Sequence, residues 1–200
     1  MTYASIVLAS RSPRRSELLR QIGVPHEVLA VDFDEARLGS EPARAYVERL
    51  ARDKAVHAYT HHRPAAGRRL LAADTAVVLE DQIFGKPDGE EDCLRMLGAL
   101  SGRTHEVVTG VAVHDGDSLR SSLCVSRVTF RAIGRDEIHR YWLTGEPADK
   151  AGAYAVQGLG AVFIERLEGS YSGVMGLPLY ETARLLREAG VPLWNEALAA

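Results

Sequence analysis

Five residues able to hold an anion, Ser10, Arg11, Ser12, Arg14 and Arg15, follow directly on the apolar run Ile6-Val7-Leu8-Ala9. Where a strand hands over to a helix, unpaired N–H groups and the positive end of the helix dipole favour anions. Hydroxyls add donors, and guanidinium forks match phosphate oxygens. A triphosphate carries roughly −4, given a terminal second pKa near 6. One helix end supplies only about +0.5, so several cations are needed. The alternative is that Arg14 and Arg15 are solvated residues on a first helical turn.

Asp74 lies in Ala72-Ala73-Asp74-Thr75, inside an apolar stretch. A carboxylate there must be paired, hydrogen-bonded or functional. It reads as a general base or metal ligand, or else as a strand-end acid closing a turn. Lys86, between Gly85 and Pro87, has a constrained backbone. It is either an ammonium aimed at phosphate or an exposed turn lysine. Asp34, Glu35 and Lys54 belong to the same inventory, with ordinary loop and helix-surface roles as their alternatives. The glycine-rich segment 145–158 carries Lys150, Tyr154 and Gln157. Small residues there let backbone approach a ligand closely. Gln157 offers a donor pair and an acceptor, enough to read one face of a pyrimidine. The alternative is a structural loop packed on a sheet by Tyr154.

These groups need elements to hold them. Residues 5–9 predict a short buried strand. Ser12-Pro13 fits an N-cap with proline at the first helical position, and Gly23 ends the helix. A second strand is expected over 26–31 and a helix over 42–58, followed by a polar loop over 61–69. Strands are expected over 70–79 and 82–84, and a helix over 89–100. A hairpin pairs 105–113 with 119–133 around Asp115-Gly116-Asp117. A helix over 136–144, a strand over 161–167 and a helix over 179–188 complete the chain. Interleaved strands and helices with hairpins predict an α/β fold on a mixed sheet.

The 200 residues suit one domain, 1–200, with two lobes possible. A net charge of −3 argues against a general nucleic-acid coat. No apolar run approaches the roughly 18 residues of a membrane span, and no signal peptide is visible. Cys93 and Cys124 have no metal spacing, so buried free thiols and a cytoplasmic setting are expected.

Seven segments, in order, resemble the Maf family of nucleoside triphosphate pyrophosphatases. They are LASRSPRRSELL near the start, LARDKA at 50–55, AADTAVVL at 72–79, GKP at 85–87, LSGRTHEVVTGVA at 100–112, GEPADKAGAYAVQG at 145–158 and GSYSGVMGLPLYET at 169–182. The form DKAGAYAVQG is similar to the branch acting on dTTP and UTP. The resemblance implies release of pyrophosphate, leaving the monophosphate. It makes Asp74 the proton acceptor and ties Arg14, Thr75 and Gln157 to substrate selection. It places Ser10, Arg15, Lys54 and Lys86 around the phosphates. Glu35, with Asp74, joins the site of a divalent cation, Mg²⁺ or Mn²⁺. It implies an ITPase-like bent mixed sheet flanked by helices, a nucleotide cleft, and a homodimer without stable nucleic-acid or membrane partners. Ala155 and Ala72 depart from the pattern, where glycine is frequent; a methyl at 155 narrows a base pocket slightly. Two rival readings are a pyrophosphatase for modified nucleotides (5-methyl-UTP, pseudo-UTP, 7-methyl-GTP) and a nucleotide-binding regulator of septum formation.

Overall fold

The computed structural model describes residues 6–62, 64 and 67–194. Strand β1 (Ile6–Ala9) is buried along its whole length, as its four apolar residues require. It pairs in parallel with β2 (His26–Leu29), Ile6 opposite His26, and with β3 (Leu70–Leu79), Val7 opposite Leu70. A strand buried on both faces reads as a continuous apolar run, which β1 shows and β3 shows except at Asp74 and Thr75. Strand β4 (Gln82–Phe84) folds back antiparallel on β3. Strands β5 (Thr104–His114), β6 (Leu119–Phe130) and β7 (Ile164–Glu168) complete a seven-stranded mixed sheet in the order β2-β1-β3-β5-β6-β7. The helices are α1 (Pro13–Gln21), α2 (Ala43–His62), α3 (Glu90–Leu100), α4 (Arg135–Trp142), α5 (Tyr171–Met175) and α6 (Leu179–Glu188). The expected α/β class with a mixed sheet is what the chain adopts.

Several boundaries differ from expectation. Helix α2 runs into the expected polar loop: the Thr60 hydroxyl donates to Val56 O, and His61 Nδ1 bonds His57 O, covering carbonyls of the last turns. Residues 63, 65 and 66 of that loop, and Ser5 of the first strand, lie outside the described residues. The strand expected from 161 begins at Ile164, because Leu159–Phe163 forms a 3₁₀ turn. Helix α5 was not anticipated; the Ser170 hydroxyl oxygen accepts from Gly173 N at 3.0 Å and starts it. Strand β6 stops at Phe130, and Ile133 N is taken by Ser101 Oγ at 2.7 Å.

The chain divides into two compact units, the first made of residues 1–74, 109–124 and 176–200, the second of 75–108 and 125–175. In the first, Val7, Ala9, Leu70, Ala72 and Ala112 of the sheet meet Ala51, Ala55 and Ala58 of α2. Small residues on the helix allow a close approach. Gly110 in β5 is part of the same fit, since a Cβ there would lie 2.8 Å from Val47 O. In the second unit the core includes Phe84, Met96, Leu97, Phe130, Tyr141, Tyr154 and Phe163. Its aromatic rings meet edge to face, Phe130 with Tyr154 at 4.8 Å and Tyr141 with Phe163 at 5.0 Å. Neither cysteine is in a disulfide and both are buried, and burial pushes the Cys93 thiol up to about 11.

Candidate active site

The first unit holds six of the residues singled out by sequence: Ser10, Arg14, Arg15, Glu35, Lys54 and Asp74. At the end of β1 the chain turns sharply, with Ser10 N donating to Leu8 O at 3.0 Å. Pro13 opens α1 with its fixed φ. Ser12 holds the N-cap position, but its side chain does not cap the helix. Instead its N–H donates to the Ser10 hydroxyl oxygen at 3.1 Å, which also accepts from Arg15 Nη1 at 3.1 Å. With its oxygen taking two donors, the Ser10 hydroxyl keeps its proton to give. Arg15 Nε donates to Gly176 O at 2.8 Å, which fixes the guanidinium plane. No acid lies in the first turn of α1, whereas α3 opens on Glu90, Glu91 and Asp92. Acids favour helix N-termini, so two arginines at this one suit an incoming anion.

Helix α2 brings Lys54 to the sheet between its alanines. Its Nζ donates to Asp74 Oδ1 at 2.6 Å and lies 2.6 Å from Glu35 Oε1. The Lys54 and Asp74 side chains are 12% and 10% exposed, while Glu35 is 59% exposed, so Glu35 forms the open side of the triad. Asp74 is therefore a paired, buried carboxylate. The alternative in which it closes a strand-end turn does not describe its contact. Burial holds the Arg15 guanidinium below its ordinary value, and Arg14 adds to this, whereas the charges of Asp74 and Glu35 pull it up. Arg14, Arg15, Glu35 and Asp74 thus share one electrostatic neighbourhood.

The loop carrying Glu35 is pinned by residues that the sequence did not single out for this role. The Tyr46 hydroxyl donates to Glu35 O at 2.9 Å. Burial first, then the charges of Asp74 and Glu35, raise the Tyr46 phenol, so it stays a donor. Arg49 makes a forked pair with Glu41 at 2.9 and 2.8 Å and reaches Ala36 O at 3.2 Å. Asp34, not distinguished from Glu35 by sequence, accepts from Ala36 N at 2.9 Å and so shapes the turn. The 41-to-49 pairing crosses the start of a helix and has no local spacing signature; only the residue types were visible.

The second unit carries Thr75, Lys86 and Gln157. Thr75 is half-buried on β3, and Lys86 is exposed beside the buried Pro87. Gly152 N donates to Gly85 O at 2.9 Å and so restrains the chain next to Lys86. Gln157 is the exposed third residue of a turn closed by Gly158 N donating to Ala155 O at 3.3 Å. The glycines of this segment make room for the protein's own groups. A Cβ on Gly160 would meet the Tyr141 hydroxyl at 2.6 Å, one on Gly158 the Glu146 carboxylate, and one on Gly152 the Val77 side chain at 2.8 Å. Tyr154 does pack the segment, with its hydroxyl 2.9 Å from His105 Nε2.

Glu35 and Asp74 are the carboxylates that a divalent cation would use. Among the described residues no cluster of three or more His, Cys, Asp or Glu side chains is poised for a metal. Two carboxylates converging on one cation, here the Lys54 ammonium, nevertheless fit Mg²⁺. That ion is held by one or two carboxylates together with substrate phosphates, not by an all-protein cage.

Over 186 residues the chain is 55% identical to a dTTP/UTP pyrophosphatase of Methylococcus capsulatus, covering 93% of this chain and 91% of that protein. It is 52% identical over 188 residues to a protein of the same name from Methylobacillus flagellatus, covering 94% of each. A third, from an Anaeromyxobacter species, is 54% identical over 196 residues, covering 95% and 92%. Residues 5–189 match the family described as Maf-like protein, and the chain belongs to that family.

Proposed function

We propose that this chain hydrolyses nucleoside triphosphates, dTTP and UTP foremost, to the monophosphate and pyrophosphate. The observation that carries the reading is the Lys54 ammonium held between Asp74 and Glu35 in the same electrostatic neighbourhood as Arg14 and Arg15. The names of the relatives support the choice of substrate. Phosphoryl chemistry asks for positioning and charge, and little else. Ser10 and Arg15 present a hydroxyl proton and a guanidinium at the mouth of α1. Asp74 accepts the proton of the water that attacks the α-phosphorus, and pyrophosphate leaves. Lys54, bonded to Asp74, keeps that carboxylate oriented, and with Arg14, Arg15 and Lys86 it draws the phosphates. Thr75 and Gln157 select the base.

The charge balance calls for help. Arg14, Arg15 and Lys54 against Glu35 and Asp74 leave one net positive charge in the first unit's site. A triphosphate brings roughly −4. A divalent cation, Mg²⁺ or Mn²⁺, held by Glu35 and Asp74, would supply charge neutralisation at the phosphates.

The same reading makes the protein a cytoplasmic homodimer whose ligand is a nucleotide and not a nucleic acid. The net charge of −3 and the two cysteines outside any disulfide support it, as do the exposed apolar side chains of Leu143, Leu159 and Val162. No helix among the described residues is long and apolar enough to cross a membrane.

Asp74→Asn keeps size and removes the proton acceptor. It should lower kcat for dTTP by about 10³-fold while the circular dichroism spectrum is kept. A variant turning over at the wild-type rate would remove Asp74 from the chemistry.

A further inference from the structure

Both ends of the turn that presents Gln157 are tied to one pair of side chains. At its start, Ala155 N donates to the Tyr141 hydroxyl at 3.2 Å. That hydroxyl donates in turn to Glu146 Oε1 at 2.7 Å. Just past its end, Leu159 N donates to Glu146 Oε2 at 2.9 Å and Gly160 N to Glu146 Oε1 at 2.9 Å. A single carboxylate thus accepts three donors, two directly from the backbone beyond the turn and one from the hydroxyl that holds its beginning. Burial pushes the Glu146 carboxyl up, but these donors, with the charge of Lys150, hold it below the usual range, so it is ionised and a strong acceptor. Tyr141 is itself locked, its ring edge to face with Phe163 at 5.0 Å. Gly158 and Gly160 leave no space for a Cβ beside these two groups, so the clamp and the glycines fit only together.

We propose that Glu146 and Tyr141 are positioning residues for nucleobase selection: they clamp the 155–160 turn so that the Gln157 amide stands at a fixed angle to the base. The inference rests on Gln157 reading the base, as proposed above. A side-chain amide discriminates between bases only if its donor and acceptor ends are held in place. An error of about 1 Å in a positioned group is enough to cost up to 10²-fold in rate. Without the clamp, Gln157 keeps its chemistry but loses its direction. Selectivity between bases then falls further than turnover does.

The test measures kcat/KM for dTTP and for GTP in wild type, Glu146→Gln, Tyr141→Phe, Gln157→Ala and the double variant Glu146→Gln/Gln157→Ala. Glu146→Gln replaces one acceptor oxygen by a donor, and Tyr141→Phe keeps the ring while removing the hydroxyl. Each should lower the dTTP:GTP ratio by about tenfold, the size of the net contribution of one hydrogen bond. In the Gln157→Ala background, Glu146→Gln should lower the ratio no further. A role confined to stability would reduce both substrates equally and leave the ratio unchanged; that result in either folded single variant overturns the proposal. Wild type without pyrophosphate release would overturn the functional reading itself. An unchanged ratio in Gln157→Ala would remove Gln157 from base selection and this inference with it.

Discussion

One ammonium serves two carboxylates in this protein, and the three side chains come from positions 35, 54 and 74. Removing the ammonium leaves Asp74 buried without its closest partner. Breaking a hydrogen-bonded charge of this kind costs about 2 kcal/mol. Lys54→Met should therefore lower the urea midpoint of unfolding at pH 7 and also reduce turnover; an unchanged midpoint would mean that the pair is solvated and contributes nothing. Sequence reasoning identified Asp74 because an acid in an apolar strand needs an explanation. The resemblance put Glu35 with Asp74 at a cation site, but nothing set Lys54 against Asp74, since a contact between residues 20 apart in the chain leaves no periodic trace. Tyr46 and Arg49 lie within the expected helix over 42–58, and their bonds to the loop at 35–41 depend on where that loop returns.

At the level of elements, the position of Lys54 follows from how closely α2 lies on the sheet. Ala51, Ala55 and Ala58 are fully buried, and Gly110 faces the helix backbone. Gly110→Ala would place a methyl 2.8 Å from Val47 O and 3.2 Å from Ala51 Cβ, so the helix must shift. Overpacking of this sort costs about 1–3 kcal/mol. The variant should melt at lower temperature and also lose activity as Lys54 moves from Asp74; wild-type melting would contradict the close approach. Elements bounded by strong signals were legible from sequence. The apolar run of β3, the short β4 after Glu80-Asp81, and the periodic α6 between Pro178 and Gly190 all fall where expected. The segment from 146 to 163 was not legible beyond its irregularity. It contains three 3₁₀ turns, and Glu146 and Tyr141 tie the start of the third and the backbone of Ala155, contacts that no local period announces. Helix α5 spans five residues, too few for a helical period to show.

For the molecule as a whole, acid stability should depend on His105. The residue is 2% exposed, its Nε2 bonds the Tyr154 hydroxyl, and its Nδ1 has no hydrogen-bond partner among the described residues. Burial lowers its pKa from 6.5 to about 4. The folded protein therefore holds His105 neutral while the unfolded chain protonates it. The stability it provides is fully present above pH 6.5 and is lost as pH falls through that value toward 4. A shift of this size corresponds to about 3 kcal/mol. Urea unfolding at pH 7 and pH 4.5 should show that loss in wild type and a smaller one in His105→Gln; equal losses would place the acid sensitivity elsewhere. The chemistry has a similarly direct test. Purified protein is given dTTP and UTP with Mg²⁺, and the products are identified by chromatography. Stoichiometric pyrophosphate with TMP or UMP is the predicted result. Orthophosphate with the nucleoside diphosphate, or intact triphosphate, would show that this site does not cut between the α- and β-phosphates.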